Sequence, residues 1–397
     1  MAGALEDIKV LDFTHFQAGP TCTLVLRGLG AEVIKVERPG MGDMVREFFP
    51  FTDAGESAYF INLNLGKKSI TLNLRSEKGL QIARDLAKKV DVIVENLKPG
   101  VMSKLGLGYE EISKINPRLV YASLAGFGQT GPRRYDAAFD IVAQAMGGFI
   151  SINGLPGGPP VKAGASIADT LGGVYTAIGV LAALHYREKT GEGQLVDISM
   201  QDCVWNTIAM EHSGYFFMKN MIPLKPGNSY TNDAGTNIYQ TKDDYIIISA
   251  ITDGQYESLL KLMGREDLVG TTEVATSGER VKHRVENDAM VAEWTKTKST
   301  EELTDALRGS SIPCSPIPTF DKVATDPQLL TREMIVDVEQ PRSGKFKAAG
   351  SPIKMSKTPG NLKFPAPSLG EHNHEVYSGL LGYSREEISK LEADGVI

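Results

Sequence analysis

The segment Ile8-Lys9-Val10-Leu11-Asp12-Phe13-Thr14 constrains the fold most, because it is largely apolar and is followed by a Gly19-Pro20 turn, a helical stretch over residues 21 to about 29, and a second such run, Glu32-Val33-Ile34-Lys35-Val36-Glu37. Strands of this kind read as buried, and two of them joined through a helix form a βαβ unit. The pattern continues with a strand predicted at 69–74, a helix at 76–89, a strand at 91–96, helix near 109–115 and a strand at 119–123. Such alternation specifies an α/β fold, a mainly parallel sheet with helices on its faces.

At 397 residues the chain exceeds one ordinary core and suggests about two or three domains. A Gly- and Pro-rich loop at 147–160 leads to a long apolar helix that opens around Asp169, and Val196-Asp197-Ile198-Ser199 reads as a further strand. Residues 223–235 turn polar and read as a linker. A smaller α+β segment follows, with a strand at 245–250, a helix at 255–263 and a polar, helix-prone run at 278–308. The expected division is 1–222 for the first part of a large domain, 223–325 for a small domain with its linkers, and 326–397 for a return to the large one.

Composition excludes several classes. Hydrophobic content of 42% and charged content of 23% are those of a soluble globular protein. Cys22, Cys203 and Cys314 have no paired spacing, so neither a disulfide framework nor a zinc site is indicated, and a reducing, cytoplasmic compartment fits. Met1-Ala2-Gly3-Ala4-Leu5 has no basic start, the apolar stretch at 171–184 is too interrupted for a membrane span, and a net charge of −7 argues against nucleic acid. Lys67, Lys68, Arg75, Lys98 and Lys104 read as either a solvated surface or an anion site. The turn after the first strand, His15-Phe16-Gln17-Ala18-Gly19-Pro20-Thr21, lacks the three glycines of a dinucleotide fingerprint. No Walker, His-Glu-x-x-His or Gly-x-Ser-x-Gly pattern occurs, and His372 and His374 lie too close in sequence to share a face, so no metal is implied. His15 reads as a residue that structures the strand-end loop.

Three segments together carry a family likeness: Phe13-Thr14-His15-Phe16-Gln17-Ala18-Gly19-Pro20, Gly164-Ala165-Ser166-Ile167-Ala168-Asp169-Thr170-Leu171-Gly172-Gly173, and Gly191-Glu192-Gly193-Gln194-Leu195-Val196-Asp197-Ile198-Ser199-Met200. The chain resembles the family III CoA-transferases over essentially its whole length. The resemblance implies a Rossmann-like large domain built from both chain ends, an inserted smaller α+β domain, and two protomers threaded through one another as linked rings; a heteromer with a related subunit stays open. It implies Asp169 as the nucleophile with Gln17 and Ala18 beside it, Arg38 and Arg75 near the adenosine end of CoA, and Leu72, Asn96, Leu97, Lys104, Leu105, Phe139 and Met200 as further CoA contacts.

The chemistry suits those residue types. A carboxylate, with a reference pKa near 4, is ionised at neutral pH and can attack a thioester, and a helix N-terminus helps to keep it charged. A mixed anhydride and then an aspartyl-CoA thioester carry CoA from donor to acceptor, with CoA thioester as substrate and no cofactor; the Gln17 amide and backbone N–H groups would stabilise the oxyanion. Related α-methylacyl-CoA racemases place a proton-accepting histidine where this chain has Phe139, which cannot accept a proton. Formyl-CoA transferases carry a glycine run where this chain has Pro226-Gly227-Asn228-Ser229-Tyr230-Thr231-Asn232-Asp233-Ala234-Gly235. They also have a tyrosine, a lysine and a glutamate in place of Phe139, Ala137 and Asp140, so oxalate specificity does not follow. Trp205, Tyr215, Phe216 and Phe217 read either as packing or as a pocket for a bulky acyl group, which a benzylsuccinate-type dicarboxylic acceptor with succinyl-CoA as donor would fit. A CoA-binding subunit without catalysis is the remaining alternative.

Overall fold

Six parallel strands form the sheet: β1 (Lys9–Asp12), β2 (Glu32–Glu37), β3 (Lys68–Thr71), β4 (Val92–Glu95), β5 (Val120–Ala125) and β6 (Leu195–Ser199), in the order β3-β2-β1-β4-β5-β6. The computed structural model describes residues 3–230 and 234–397, so Met1 and Ala2, and Thr231, Asn232 and Asp233 of the polar segment at 226–235, lie outside the described residues. Val10, Leu11, Val92, Val94 and Val120 are all buried, as strands covered on both faces require. Strand order reverses between β1 and β4, and an open parallel sheet leaves a crevice outside the C-terminal ends of the strands at such a point.

The helices that follow are α1 (Ala18–Gly28), α2 (Ala58–Leu63), α3 (Glu77–Ala87), α4 (Val101–Lys104), α5 (Tyr109–Ile115), α6 (Asp140–Met146), α7 (Phe149–Ile152), α8 (Ile167–Thr190) and α9 (Met200–Lys219). Cys22 and Leu26 of α1 join Ala177, Val180, Ala183 and Leu184 of α8 on one sheet face. Ile82 and Leu86 of α3 and Ile112 of α5 cover the other. By length and composition alone α8 could cross a membrane, but it is packed against α1, β5 and β6 and stops at Gly191 in the left-handed conformation (φ 81°).

The chain divides into one unit of Met1–Phe149, Lys162–Lys219 and Pro327–Ile397, and a second of Ile150–Val161 and Asn220–Asp326. This differs from the sequence expectation, which left the 147–160 loop wholly in the large domain. Residues 150–161 instead join the second unit, where Lys225 Nζ donates to the Gly158 carbonyl (2.5 Å).

In the second unit β7 (Thr236–Gln240), β8 (Tyr245–Ser249) and β9 (Cys314–Pro316) form an antiparallel sheet. Its helices are α10 (Asp253–Leu262), α11 (Ser277–Lys282), α12 (Arg284–Thr295), α13 (Thr300–Gly309) and α14 (Phe320–Val323). Polar residues break the 278–308 run into separate helices by capping them: Thr276 accepts from Glu279 N, and Ser299 forms a reciprocal cap with Glu302.

The returning segment adds α15 (Pro327–Thr331), the hairpin β10 (Ile335–Gln340) and β11 (Gly344–Ala349), then α16 (Asn373–Leu381) and α17 (Arg385–Ala393). Val376, Tyr377, Ile388 and Leu391 enter the core beneath β1–β3. His372 docks the tail, its Nδ1 accepting from Ser69 N (3.2 Å).

One surface reading is overturned. Lys67 is buried, with Nζ 3.2 Å from Asp12 Oδ2 and 2.7 Å from Thr23 Oγ1, and Lys68 is paired with Glu32 and Glu375. Neither is free to form an anion site.

Close approach of α1 to α8 depends on Gly173. A Cβ there would lie 2.6 Å from the Ala18 carbonyl oxygen and 2.7 Å from Thr21 Cβ. Gly173→Ala should therefore lower unfolding stability by about 1–3 kcal/mol through overpacking, although alanine gains about 1 kcal/mol in helix propensity, and urea denaturation measures which effect wins.

Candidate active site

The turn after β1 is held from beneath by buried charge. Lys35 Nζ lies 2.9 Å from Asp43 Oδ2 with both side chains fully buried, and it also donates to the Thr14 carbonyl (2.8 Å). Burial alone would raise the Asp43 carboxyl, but the Lys35 ammonium and His15 hold it well below the usual carboxylate range. The other oxygen, Oδ1, accepts from Phe16 N (3.4 Å), and Phe16 sits in the left-handed region (φ 62°). That conformation costs a non-glycine residue about 1–2 kcal/mol and persists because the surroundings over-determine it. Asn96, just beyond β4, clasps His15 on both sides, accepting from its N–H (2.9 Å) and donating to its carbonyl (2.8 Å). His15 thus structures this loop through its backbone and its proximity to Asp43.

Asp169 lies in the first turn of α8 and is partly buried. Ser166, at the N-cap, makes no side-chain cap. Asp140, at the start of α6, takes that role across the chain: its Oδ1 accepts from Ala168 N (2.8 Å) and Asp169 N (3.3 Å), and Gln144 Nε2 donates to its Oδ2 (2.6 Å). The helix N-terminus therefore does not keep Asp169 ionised as expected. Its amides are engaged by Asp140, and burial followed by the Asp140 charge pushes the Asp169 carboxyl up to about 7.

A cavity of about 400 Å³ opens at Asp169. Ala18, Asn96, Leu97, Phe139 and Met200 line it, with Phe16, Lys98, Leu124 and Arg134, and among the described residues no histidine does. A separate hollow of about 150 Å³ at the ends of β1–β3 is lined by His15, Arg38, Leu72, Arg75 and Leu97. Leu97 faces both. Lys104 and Leu105 line neither; Lys104 ends α4 and Leu105 packs against the core. Gln17 sits over the first turn of α8, its Nε2 near Thr170 Oγ1 (3.2 Å) and the Ser166 carbonyl (3.4 Å), while its Oε1 accepts from Tyr59 Oη. The Gln17 amide is thus engaged beside Asp169 rather than bonded to it.

Trp205, Tyr215, Phe216 and Phe217 do not line the Asp169 cavity; all lie on α9, where Trp205 and Phe217 are 48% and 69% exposed. The bulky-acyl pocket read from them is not formed there, because α9 meets the cavity only through Met200 in its first turn, and the other lining residues come from other elements. Residues that sequence reasoning missed are Tyr59, Gln144 and Arg134. Tyr59 stays a hydroxyl donor, since burial and the charges of Asp169 and Asp140 push it up to about 12. Nothing local marks it, as Gln17 is 42 residues away.

Two outcomes follow from the raised Asp169. Reaction with a thioester donor should rise with pH and level off above about 7, read as kcat/KM. Asp140→Asn keeps an oxygen to accept from the α8 amides but removes the repelling charge, so the midpoint should move toward lower pH. The native chain holds a proton on Asp169 that the unfolded chain releases near pH 4, so this group's contribution to stability falls as pH rises from about 4 to about 7. Asp169→Asn should therefore stabilise the protein above pH 7, by an amount on the order of 1–3 kcal/mol, with the gain shrinking toward pH 4 in denaturation curves.

A family model for CoA-transferase family III matches residues 5–373. The succinyl-CoA–D-citramalate CoA-transferase of Chloroflexus aurantiacus is 36% identical over 99% of this chain and 98% of its own length. The succinyl-CoA:mesaconate CoA-transferase of Haloarcula marismortui is 39% identical over 94% of this chain and 96% of its own. Among solved structures, a CAIB/BAIF family protein from Brucella suis superposes with a TM-score of 0.84 at 34% identity, covering 96% of this chain and all of that one (100%).

Proposed function

Because the chain belongs to CoA-transferase family III, we propose that it moves CoA from an acyl-CoA, with succinyl-CoA as donor, to a free carboxylic acid through covalent intermediates on Asp169. The observation that carries this reading is the placement of the Asp169 carboxyl, partly buried in the first turn of α8 and lining a 400 Å³ cavity. Ionised Asp169 attacks the thioester carbonyl, the C–S bond breaks, and CoA leaves as thiolate. The thiolate attacks the aspartyl carbonyl of the resulting anhydride, freeing the donor acid and forming aspartyl-CoA thioester. The acceptor carboxylate then attacks that thioester, and the thiolate returns to the acceptor carbonyl to release the new acyl-CoA. Protons balance without a metal or redox cofactor.

The hollow lined by Arg38 and Arg75 would take the anionic adenosine end of CoA, with Leu72 and Leu97 packing beside it. Asn96, Leu97, Ala18, Phe139 and Met200 would flank the thioester. Water must be excluded, since anhydride hydrolysis wastes the activated group. The names of the relatives favour a dicarboxylic acceptor, citramalate and mesaconate both being diacids. The racemase reading lacks support, because Phe139 presents a ring edge-on to Phe16 (5.6 Å) and no histidine among the described residues lines the cavity. Exposed Trp205, Met210, Phe217 and Met218, spread around α9, support burial of that helix in a linked-ring dimer.

Incubation with succinyl-CoA, trapping with hydroxylamine and mass mapping should find the adduct at Asp169. Asp169→Asn should abolish both adduct and transfer; modification elsewhere, or transfer surviving the substitution, would refute the covalent route.

A further inference from the structure

The cavity at Asp169 contains a charge arrangement that the transfer chemistry does not use. Phe16, Leu124, Phe139 and Met200 make much of its wall apolar; its cationic side chains are Lys98 and Arg134, and besides Asp169 it is lined by a further carboxylate, Asp136, which lies beside Arg133. Arg134 belongs to the exposed turn between β5 and α6. Its neighbour Arg133 has a carboxylate partner in Asp136 (3.8 Å), whereas Arg134 makes no ion pair among the described residues. The Arg134 guanidinium instead lies over the Tyr135 ring, 4.5 Å from its centroid. Stacking of this kind fixes the plane of the group and leaves its edge donors free, the fork that matches a carboxylate. Lys98 offers only a point charge on a flexible stem.

A donor thioester entering this cavity meets the carboxylate of free Asp169, and donor and acceptor acids alike meet repulsion from Asp136 on its lining and Asp140 capping the start of α8. A second carboxylate would add to that repulsion unless a cation received it, and Arg134 is the cation placed to do so. We propose that Arg134 binds the second carboxylate of a dicarboxylic substrate while the first reacts at Asp169, and so selects diacids over monoacids of equal length. This rests on the transferase reading above. Arg134 makes and breaks no bond in the cycle.

The test compares label exchange between succinyl-CoA and succinate with exchange between butyryl-CoA and butyrate, which differ only in a terminal carboxylate, and repeats it with glutarate against valerate. The wild type should favour the diacids. Arg134→Gln should lower kcat/KM for the diacids by about 10- to 100-fold, mainly through KM, and the diacid-to-monoacid ratio should collapse. Arg134→Lys should recover part of that ratio, and unchanged thermal unfolding will exclude a folding defect. Equal losses for both acid types, an unchanged ratio, or a wild type indifferent to the second carboxylate would overturn the proposal. An Asp169 adduct without diacid exchange would overturn it alone, whereas neither adduct nor exchange with any acid would overturn the transferase reading as well.

Discussion

The ion pair between Lys35 and Asp43 is the constraint on which the candidate site depends. Both side chains are fully buried, so breaking the pair by removing either partner leaves an uncompensated charge, at a cost of about 3–5 kcal/mol. Its purpose is visible in what it touches. Lys35 fixes the Thr14 carbonyl and Asp43 fixes the Phe16 amide, so the turn that delivers Gln17 and Ala18 is held in a conformation that phenylalanine does not favour. A second buried pair, Lys67 with Asp12, ties the end of β1 to the neighbouring Thr23 hydroxyl. Burial pushes the Lys67 ammonium down to about 8, while the two ammonium groups outweigh burial at Asp12 and keep its carboxyl low.

These charges sit under the reversal of strand order. The loops leaving β1 and β4 are clasped together there by Asn96, and β5 contributes Leu124 and Ala125 to the same cavity. The opposite wall is α8, brought close by Gly173 against the Ala18 carbonyl. Sheet topology thus supplies the crevice, buried charge shapes one wall, and a missing side chain sets the distance to the other. Each effect is modest, but all act on the few residues that face Asp169.

Much of the fold was legible because its signals are local. Apolar strand runs and the capped helices between them mark the parallel sheet up to β6, and Asp169 was legible through the segments flanking it. What was not legible depends on partners distant in sequence. Asp140 caps a helix whose Ala168 amide lies 28 residues further along the chain, and only the folded chain shows that it takes the amides expected to favour Asp169. Lys67 looks like a surface lysine beside Lys68 until the strand places it over Asp12. The aromatic residues of α9 suggested a pocket by composition, but composition does not say which face of a helix meets a cavity. The alternating segment Ile335-Val336-Asp337-Val338-Glu339-Gln340 went unread although β10 has the expected period of two.

Two carboxylates held together at Asp140 and Asp169 have a consequence for the energetics of the proposed cycle. The free enzyme with Asp169 ionised, the form that attacks the thioester, is the state that bears the repulsion. Joining Asp169 to an acyl group or to CoA removes its charge, and Asp140 then faces a neutral ester-like neighbour while still capping α8. The repulsion therefore raises the starting state without raising the covalent intermediates, which makes an otherwise high-energy anhydride less uphill to form. Each release of product restores the like-charge contact and readies the site for the next thioester.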